Sequence, residues 1–412
     1  MQAEIIAIGS EMLTPFRVDT NSLYLTDQLE RLGIPVTRKT VVGDNREHLK
    51  AVFAEALQRS DLVIGIGGLG PTEDDRTRES VAELLGRPLE RSEEVVRMMR
   101  ERFRAFGRKM PEVNLRQAMV PAGATWLPND NGTAPGLWME TDGEKIVLLL
   151  PGPPPELKPL FEEYCLAKLR SRAPRQAFAT KVLKVTGMAE SEVEEKIAPI
   201  YRTYENPETT LLASAGEIQI HLRGTGADAG DALRRVEELG ERIENALGDA
   251  VFSRGNESLE QVVGLYLMMR GATLAVAESC TGGLLGQRIT SVPGSSHYFL
   301  GGVVCYSDKL KTKLVGVPES MLKRKGAVSA EVAEALARGI RSRAGATLGV
   351  GITGVAGPQG GSPDKPVGTV FISLAEAHRA KTVKHRFPGD RERIRQFATQ
   401  AALNLVRRKL LK

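Results

Sequence analysis

The sequence predicts an α/β protein of three units: a parallel sheet layered between helices, a small α+β module, and a second α/β unit. Three observations predict it. Short apolar runs alternate with helical patterns towards both ends of the chain, and such alternation builds parallel sheets covered by helices. Several of those runs end on glycine turns, as Ile5-Ile6-Ala7-Ile8 does before Gly9 and Leu62-Val63-Ile64-Gly65-Ile66 before Gly67-Gly68. The chain has 412 residues, more than one ordinary core holds, so two or three domains are expected.

In the first unit, residues 1–172, strands are expected at Glu4–Ile8, Val36–Val42, Leu62–Ile66 and Lys145–Leu150. Helices are expected at Asn21–Leu32, Leu49–Gln58 and Glu93–Phe106, with one more beginning around Asp74 or Asp75. The proline run Pro151–Pro155 stops the last strand, and a helix over Glu156–Leu169 closes the unit. Ala173-Pro174 marks a boundary. The middle module, residues 173–254, reads as strand Thr180–Val185, helix Glu190–Ile200, strands Thr210–Ala213 and Glu217–Leu222, helix Asp231–Leu247 and strand Ala250–Phe252. Its Gly224-Thr225-Gly226 reads as a turn. The third unit, residues 255–412, reads as helix Leu259–Met269, strands Thr273–Ala277, Gly301–Tyr306, Thr347–Ile352 and Thr369–Leu374, and a last helix from about Glu392 to Leu411.

Composition narrows the function. The apolar fraction, 42%, supports packed interiors, while 5% aromatic residues argue against base stacking as the main business of the surface. A net charge of +5 suits anionic small molecules as well as nucleic acid. Three cysteines, Cys165, Cys280 and Cys305, lie far apart without metal-ligand spacing, as in a reduced, cytoplasmic chain. No segment approaches the roughly 20 apolar residues of a membrane span.

The carboxyl ends of parallel strands converge on one crevice where ligands bind. In the first unit the expected contacts there are Gly9, Glu11, Asn21, Gly67, Gly68, Gly70, Thr72, Asp74, Thr77, Asn131, Pro151 and Gly152. A strand, a glycine turn and a helix N-terminus attract anions. Acidic side chains beside a phosphate repel it unless a cation lies between. Glu11, Asp44 and Asp75 are therefore expected to hold a divalent cation such as Mg²⁺ at a phosphate-ester or diphosphate site. The plainer reading makes Asp74 and Asp75 helix caps.

In the third unit, Ala277-Glu278-Ser279-Cys280-Thr281-Gly282-Gly283 hands a strand over to a helix and displays Ser279. A serine nucleophile needs a base. No histidine stands out, and the better partner is a lysine in Tyr306-Ser307-Asp308-Lys309-Leu310-Lys311, depressed by burial or nearby cations. Backbone amides near Thr353–Ala356 or Cys280–Thr281 are the candidate oxyanion donors, Thr281, Gly282, Gly354 and Ala356 are expected substrate contacts, and Lys365 and Arg391 add positive charge. Two readings stay open: a nucleophilic Ser279, or an anion-binding turn with no covalent role. Cys280 is a rival nucleophile, more often a small buried hydrophobe.

These residues resemble known families. Gly67–Thr77 with Gly9-Ser10-Glu11 and Pro151-Gly152 is similar to the molybdopterin-binding-like fold. Ala277–Gly283, Gly354–Pro358 and Lys365–Thr369 resemble the nicotinamide mononucleotide deamidase domain. Together, with a KH-like module between, the chain resembles the CinA, competence/damage-inducible, family. The resemblance implies two activities of pyridine-nucleotide recycling. One is metal-dependent hydrolysis of ADP-ribose to AMP and ribose 5-phosphate, with Asp44 and Asp75 as catalytic acids because they fall where the fold relatives keep functional acids. The other is deamidation of nicotinamide mononucleotide, with no cofactor, in which Ser279 is nucleophile and Lys311 its base, while Tyr306 and Ser296 line the site. It also implies a homodimer. Leu69 stands where molybdopterin binders usually carry threonine. A molybdopterin-binding or regulatory first unit is the alternative. Nucleic acid is not an expected partner, because Gly224-Thr225-Gly226-Ala227 does not supply the G-x-x-G loop of RNA-binding KH modules.

Overall fold

The computed structural model describes residues 1–105, 107–173 and 177–412. The expected positions Phe106 and Pro174 lie outside them. The described chain divides into two compact units, residues 1–178 with 226–229, and residues 179–225 with 230–412.

The first unit holds a six-stranded sheet. In chain order its strands and those of a small side ribbon are β1 (Ala3–Ile8), β2 (Val36–Val42), β3 (Leu62–Ile66), β4 (Leu89–Arg91), β5 (Met119–Pro121), β6 (Thr125–Leu127), β7 (Gly136–Glu140) and β8 (Ile146–Leu150). The main sheet runs β2-β1-β3-β8-β7-β6, and β4 pairs with β5. β2, β1, β3 and β8 are parallel. β7 and β6 are antiparallel additions, so the sheet is mixed. Sequence reading leaves β4 to β7 as loops because each is only three to five residues long, too short to show a period. β1, β3 and β8 are buried throughout, as expected for strands covered on both faces. Two apolar layers result. One packs Phe53, Val81, Val95 and Met99 on the sheet. The other packs Leu25, Leu29, Leu157 and Phe161. Glu4, buried in β1, accepts a guanidinium fork from Arg59 at 2.6 and 2.9 Å and the Ser60 hydroxyl at 2.9 Å. A carboxylate so deep is stable only when fully paired.

Two expected helices differ. The one near Asp75 begins at Thr77 and runs to Leu84, because the Asp75 carboxylate turns back onto Thr72 instead of capping forward. The closing helix starts at Pro154 and reaches Arg172 through a π-turn at Phe161–Cys165.

The second unit carries two sheets. The module's strands are β9 (Ala177–Thr186), β10 (Glu208–Ser214), β11 (Glu217–Gly226) and β12 (Val251–Ser253), in the order β10-β11-β9-β12. Gly224 to Gly226 ends β11 and is not a turn. A Cβ on Gly224 would stand 2.8 Å from Val236, so glycine here admits the helix Ala229–Leu247 against the strand. The remaining strands are β13 (Leu274–Glu278), β14 (Phe299–Val304), β15 (Leu348–Gly354), β16 (Thr369–Ala375) and β17 (Ala380–Arg386), ordered β14-β13-β15-β16-β17. The first three are parallel, and β16 and β17 are antiparallel. β17, unread in the sequence, is an edge strand whose basic residues Lys381, Lys384 and Arg386 fall on both faces, which hides its period.

Candidate functional sites

In the first unit, β1, β3 and β8 end together on a cavity of about 410 Å³. Its lining brings together Gly9, Glu11, Asp44, Gly67, Gly68, Gly70, Asp74, Asp75, Pro151 and Gly152. Gly67 and Gly68 take φ of 101° and 66°, in the left-handed region that favours glycine. A Cβ on Gly70 would collide with the Asp75 carboxylate, and one on Gly68 with Thr77 Oγ1. The loop is bound from outside by Arg116, which donates to Thr72 O at 2.7 Å and Asp75 O at 3.3 Å. Asp75 Oδ2 accepts the Thr72 amide at 2.9 Å and also its hydroxyl. Asp44 Oδ2 accepts the Ser10 amide at 2.7 Å.

Glu11, Asp44 and Asp75 thus share one cavity, yet among the described residues no three acidic, histidine or cysteine side chains form a ready-made metal cluster. The set suits a Mg²⁺-like cation that arrives with phosphate oxygens completing its shell. Four expected contacts are structural. Thr72 binds Asp75, Thr77 is buried, Asn21 Nδ2 donates to Gly152 O at 2.6 Å, and Asn131 Nδ2 donates to Pro155 O at 2.9 Å. Of these Asn21 lines the neighbouring cavity, of about 470 Å³, together with Arg17 and Asp19.

Sequence reading missed Glu156. Its carboxylate lines the first cavity and accepts Asn129 Nδ2 at 2.7 Å on Oε2. Gly132 leaves the space this carboxylate fills, since a Cβ there would overlap it. Burial pushes the Glu156 carboxyl above its usual range, against the opposing pull of Asn129 and Arg102. A glutamate three residues into a proline-led helix looks like an ordinary first-turn residue, so its only signal was proximity to Pro151-Gly152.

In the second unit, Ser279 and Tyr306 follow the carboxyl ends of the adjacent parallel strands β13 and β14. Ser279 is nearly buried, and its amide donates to Ile352 O at 3.0 Å. The buried Glu278 carboxylate accepts the amides of Gly283, Leu285 and Gly286 at 3.1, 3.0 and 2.8 Å. The turn therefore holds its own anion. Gly282 N bonds Ser279 O and Leu284 N bonds Thr281 O, so the amides of Cys280 and Thr281 are what remains for an oxyanion. The amide of Gly282, an expected substrate contact, is spent on Ser279 O. The Gly354–Ala356 loop is likewise engaged, because Val355 N donates to Thr369 O at 2.8 Å.

Lys311 is buried on the helix Asp308–Val315, where Nζ donates to Tyr306 O at 3.1 Å and to Asp308 at 3.4 Å. Lys309 is exposed. The two lysines thus differ in burial, and neither of those Lys311 contacts reaches Ser279. Arg391 bridges Gly357 O at 2.8 Å and the Tyr306 hydroxyl at 2.9 Å. Arg395 forks onto Thr281 O at 3.0 and 2.8 Å. Lys365 donates instead to Lys325 O at 2.9 Å. Ser296 sits exposed on the turn Ser295–His297 before β14, at the end of the strand opposite Ser279. Five residue steps of about 3.3 Å separate these ends within one chain. Burial pushes the Cys280 thiol up to about 12, which removes it as a nucleophile near neutral pH.

Family models match the chain in three segments: a probable molybdopterin binding domain over residues 4–171, a damage-inducible protein CinA KH domain over 180–253, and a CinA C-terminal domain over 256–410. A CinA-like protein of Koribacter versatilis is 52% identical over 414 residues, covering 100% of both chains. The chain belongs to the CinA family. A putative competence-damage inducible protein of Symbiobacterium thermophilum is 44% identical over 424 residues, covering 100% of this chain and 99% of its own. A solved CinA chain from Thermoplasma acidophilum is 35% identical, covering 39% of this chain and 94% of its own, with a TM-score of 0.37. The CinA architecture thus joins a molybdopterin-binding-like unit, a KH domain and the C-terminal α/β domain in one chain. No helix among the described residues is long and apolar enough to cross a membrane.

Proposed function

We propose that the chain is a bifunctional hydrolase of pyridine-nucleotide recycling. Its first unit hydrolyses the diphosphate of ADP-ribose, giving AMP and ribose 5-phosphate. The observation that carries this reading is the first cavity, where glycine turns and five acidic residues, Glu11, Asp44, Asp74, Asp75 and Glu156, line one space beyond the strand ends. Glycine-turn amides suit phosphate oxygens. Glu11, Asp44 and Asp75 would hold a divalent cation, which when bound neutralises phosphate charge and polarises a phosphoryl oxygen. Glu156 takes the proton of the attacking water. Asn129 fixes Oε2, which leaves Oε1 to face the water.

In the second unit Ser279 Oγ attacks the carboxamide carbon of nicotinamide mononucleotide, and Lys311 accepts its proton. The Cys280 and Thr281 amides receive the developing oxyanion. Lys311 then protonates the leaving ammonia, and water hydrolyses the acyl-serine to nicotinate mononucleotide. Tyr306, held by Arg391, walls the site. A homodimer is the proposed assembly, checked by light scattering.

The test is product analysis of the intact protein with ADP-ribose and with nicotinamide mononucleotide, with and without chelator. Asp75→Ala is expected to abolish diphosphate cleavage and spare ammonia release, and Ser279→Ala the reverse. A Ser279→Ala protein that releases ammonia at the parent rate would remove serine from the mechanism.

A further inference from the structure

A second kind of cavity lies in the second unit, between the module and the C-terminal domain. It encloses about 410 Å³. Two periodicities build its wall. Alternation along β17 sends Lys381, Val383 and His385 to one face. Helical spacing along Arg391–Leu410 aligns Phe397, Gln400, Ala401, Asn404, Leu405 and Arg408 on one side. The module closes it with Thr186, Gly187, Met188 and Gly216.

Three features give the cavity a chemical preference. His385, Phe387 and Phe397 form a stack, with centroids 5.0 and 5.4 Å apart and planes within 12° and 8°. Such a wall favours another flat ring. Lys381 and Arg408 are exposed and have no carboxylate partner among the described residues, and no acidic residue lines the cavity. Finally, Asn404 is oriented: its Oδ1 accepts Arg407 Nε at 3.1 Å and Nη2 at 3.0 Å. Its Nδ2 is thereby left as a donor against the bare backbone of Gly187, 2.7 Å from where a Cβ would stand.

The seam is fixed on both sides. Buried Arg407 donates to Val251 O at 3.3 Å and to Asp249 O. Gln400 Nε2 reaches Thr186 Oγ1 at 3.5 Å, and Thr186 Oγ1 donates to Gly216 O at 2.8 Å. The cavity is a formed feature of the unit, within the size range of small-ligand sites.

We propose that this cavity binds a nucleoside monophosphate, its base against the His385–Phe387–Phe397 stack with Asn404 donating to it, and its phosphate between Lys381 and Arg408. This assignment is independent of the two activities proposed above. AMP is the probe, titrated into the full chain while the ring proton signals of His385 are followed by NMR, assigned through their loss in His385→Gln. A saturable shift is expected, weakened at least tenfold in the Lys381→Glu/Arg408→Glu protein and retained in Asp75→Asn, which perturbs the first cavity instead. Both charge reversals are at exposed positions, and an unchanged melting curve verifies the fold. An unmoved His385 signal at millimolar AMP, or a shift indifferent to the charge reversals, overturns the proposal. So does an equal shift with inorganic phosphate alone, which would leave the ring wall without a role.

Discussion

Replacing Glu278 by glutamine tests the turn that displays Ser279. The carboxylate satisfies three amides at 2.8 to 3.1 Å with two oxygens in a buried position. Glutamine keeps one acceptor oxygen and turns an NH₂ group towards donors the other oxygen served. At least one buried amide then loses its partner, which costs about 1–3 kcal/mol. Loss of the negative charge at the start of the helix Leu284–Thr290 adds up to about 1 kcal/mol. The sum, about 1–4 kcal/mol, lowers the melting temperature of a domain of this size by roughly 2–15 °C. Calorimetry of the full chain reads the shift, and hydrogen exchange at Gly283, Leu285 and Gly286 locates it. A melting curve within about 1 °C of the parent, with unchanged exchange at those amides, would refute the view that Glu278 is the turn's internal anion.

Further outcomes follow from the other residues. Glu156→Gln is expected to flatten the acidic limb of the ADP-ribose pH–rate profile. A general base works only when ionised, and a raised carboxyl pKa means wild-type activity climbs as pH rises through that value and falls away below it. The charges around it, Arg102 and the cavity carboxylates Glu11, Asp44, Asp74 and Asp75, remain in the variant. A profile unchanged in shape would dismiss Glu156 as the base. Cys280 is expected to resist iodoacetamide in the folded protein at pH 8, because its thiol titrates near 12, and Cys280→Ala should keep ammonia release, both read by mass spectrometry and assay. Gly70→Ala should reduce diphosphate cleavage at least tenfold without touching deamidation, since its methyl group displaces the Asp75 carboxylate.

Much of this was legible before any coordinates. Buried strands such as Leu62–Ile66 announce themselves as unbroken apolar runs, and the helix Leu259–Met269 coincides with its sequence-predicted span. Glu11, Asp44 and Asp75 were legible because each lies in the loop that follows a parallel strand, and topology gathers those loops. What escaped depended on contacts distant in sequence. Glu156 gains its setting from Asn129 and Gly132. Glu278 reads in sequence as one more residue of a strand, and only the fold reveals that it consumes the amides offered to a substrate. Thr72 and Asn131 have the chemistry of ligand contacts, but neighbouring loop atoms already occupy them.

Arg407 has a consequence for how the chain is made. Its guanidinium ties the module's β12 segment to the final helix, across more than 150 residues of sequence. All four strands of the module have been synthesised by Ser253, yet the bonds that seat it depend on the last turns to leave the ribosome. A nascent chain arrested before Arg407 carries a module without that clasp, and removal of the terminal dozen residues should loosen the β12 segment although the Gln400 contact to Thr186 remains.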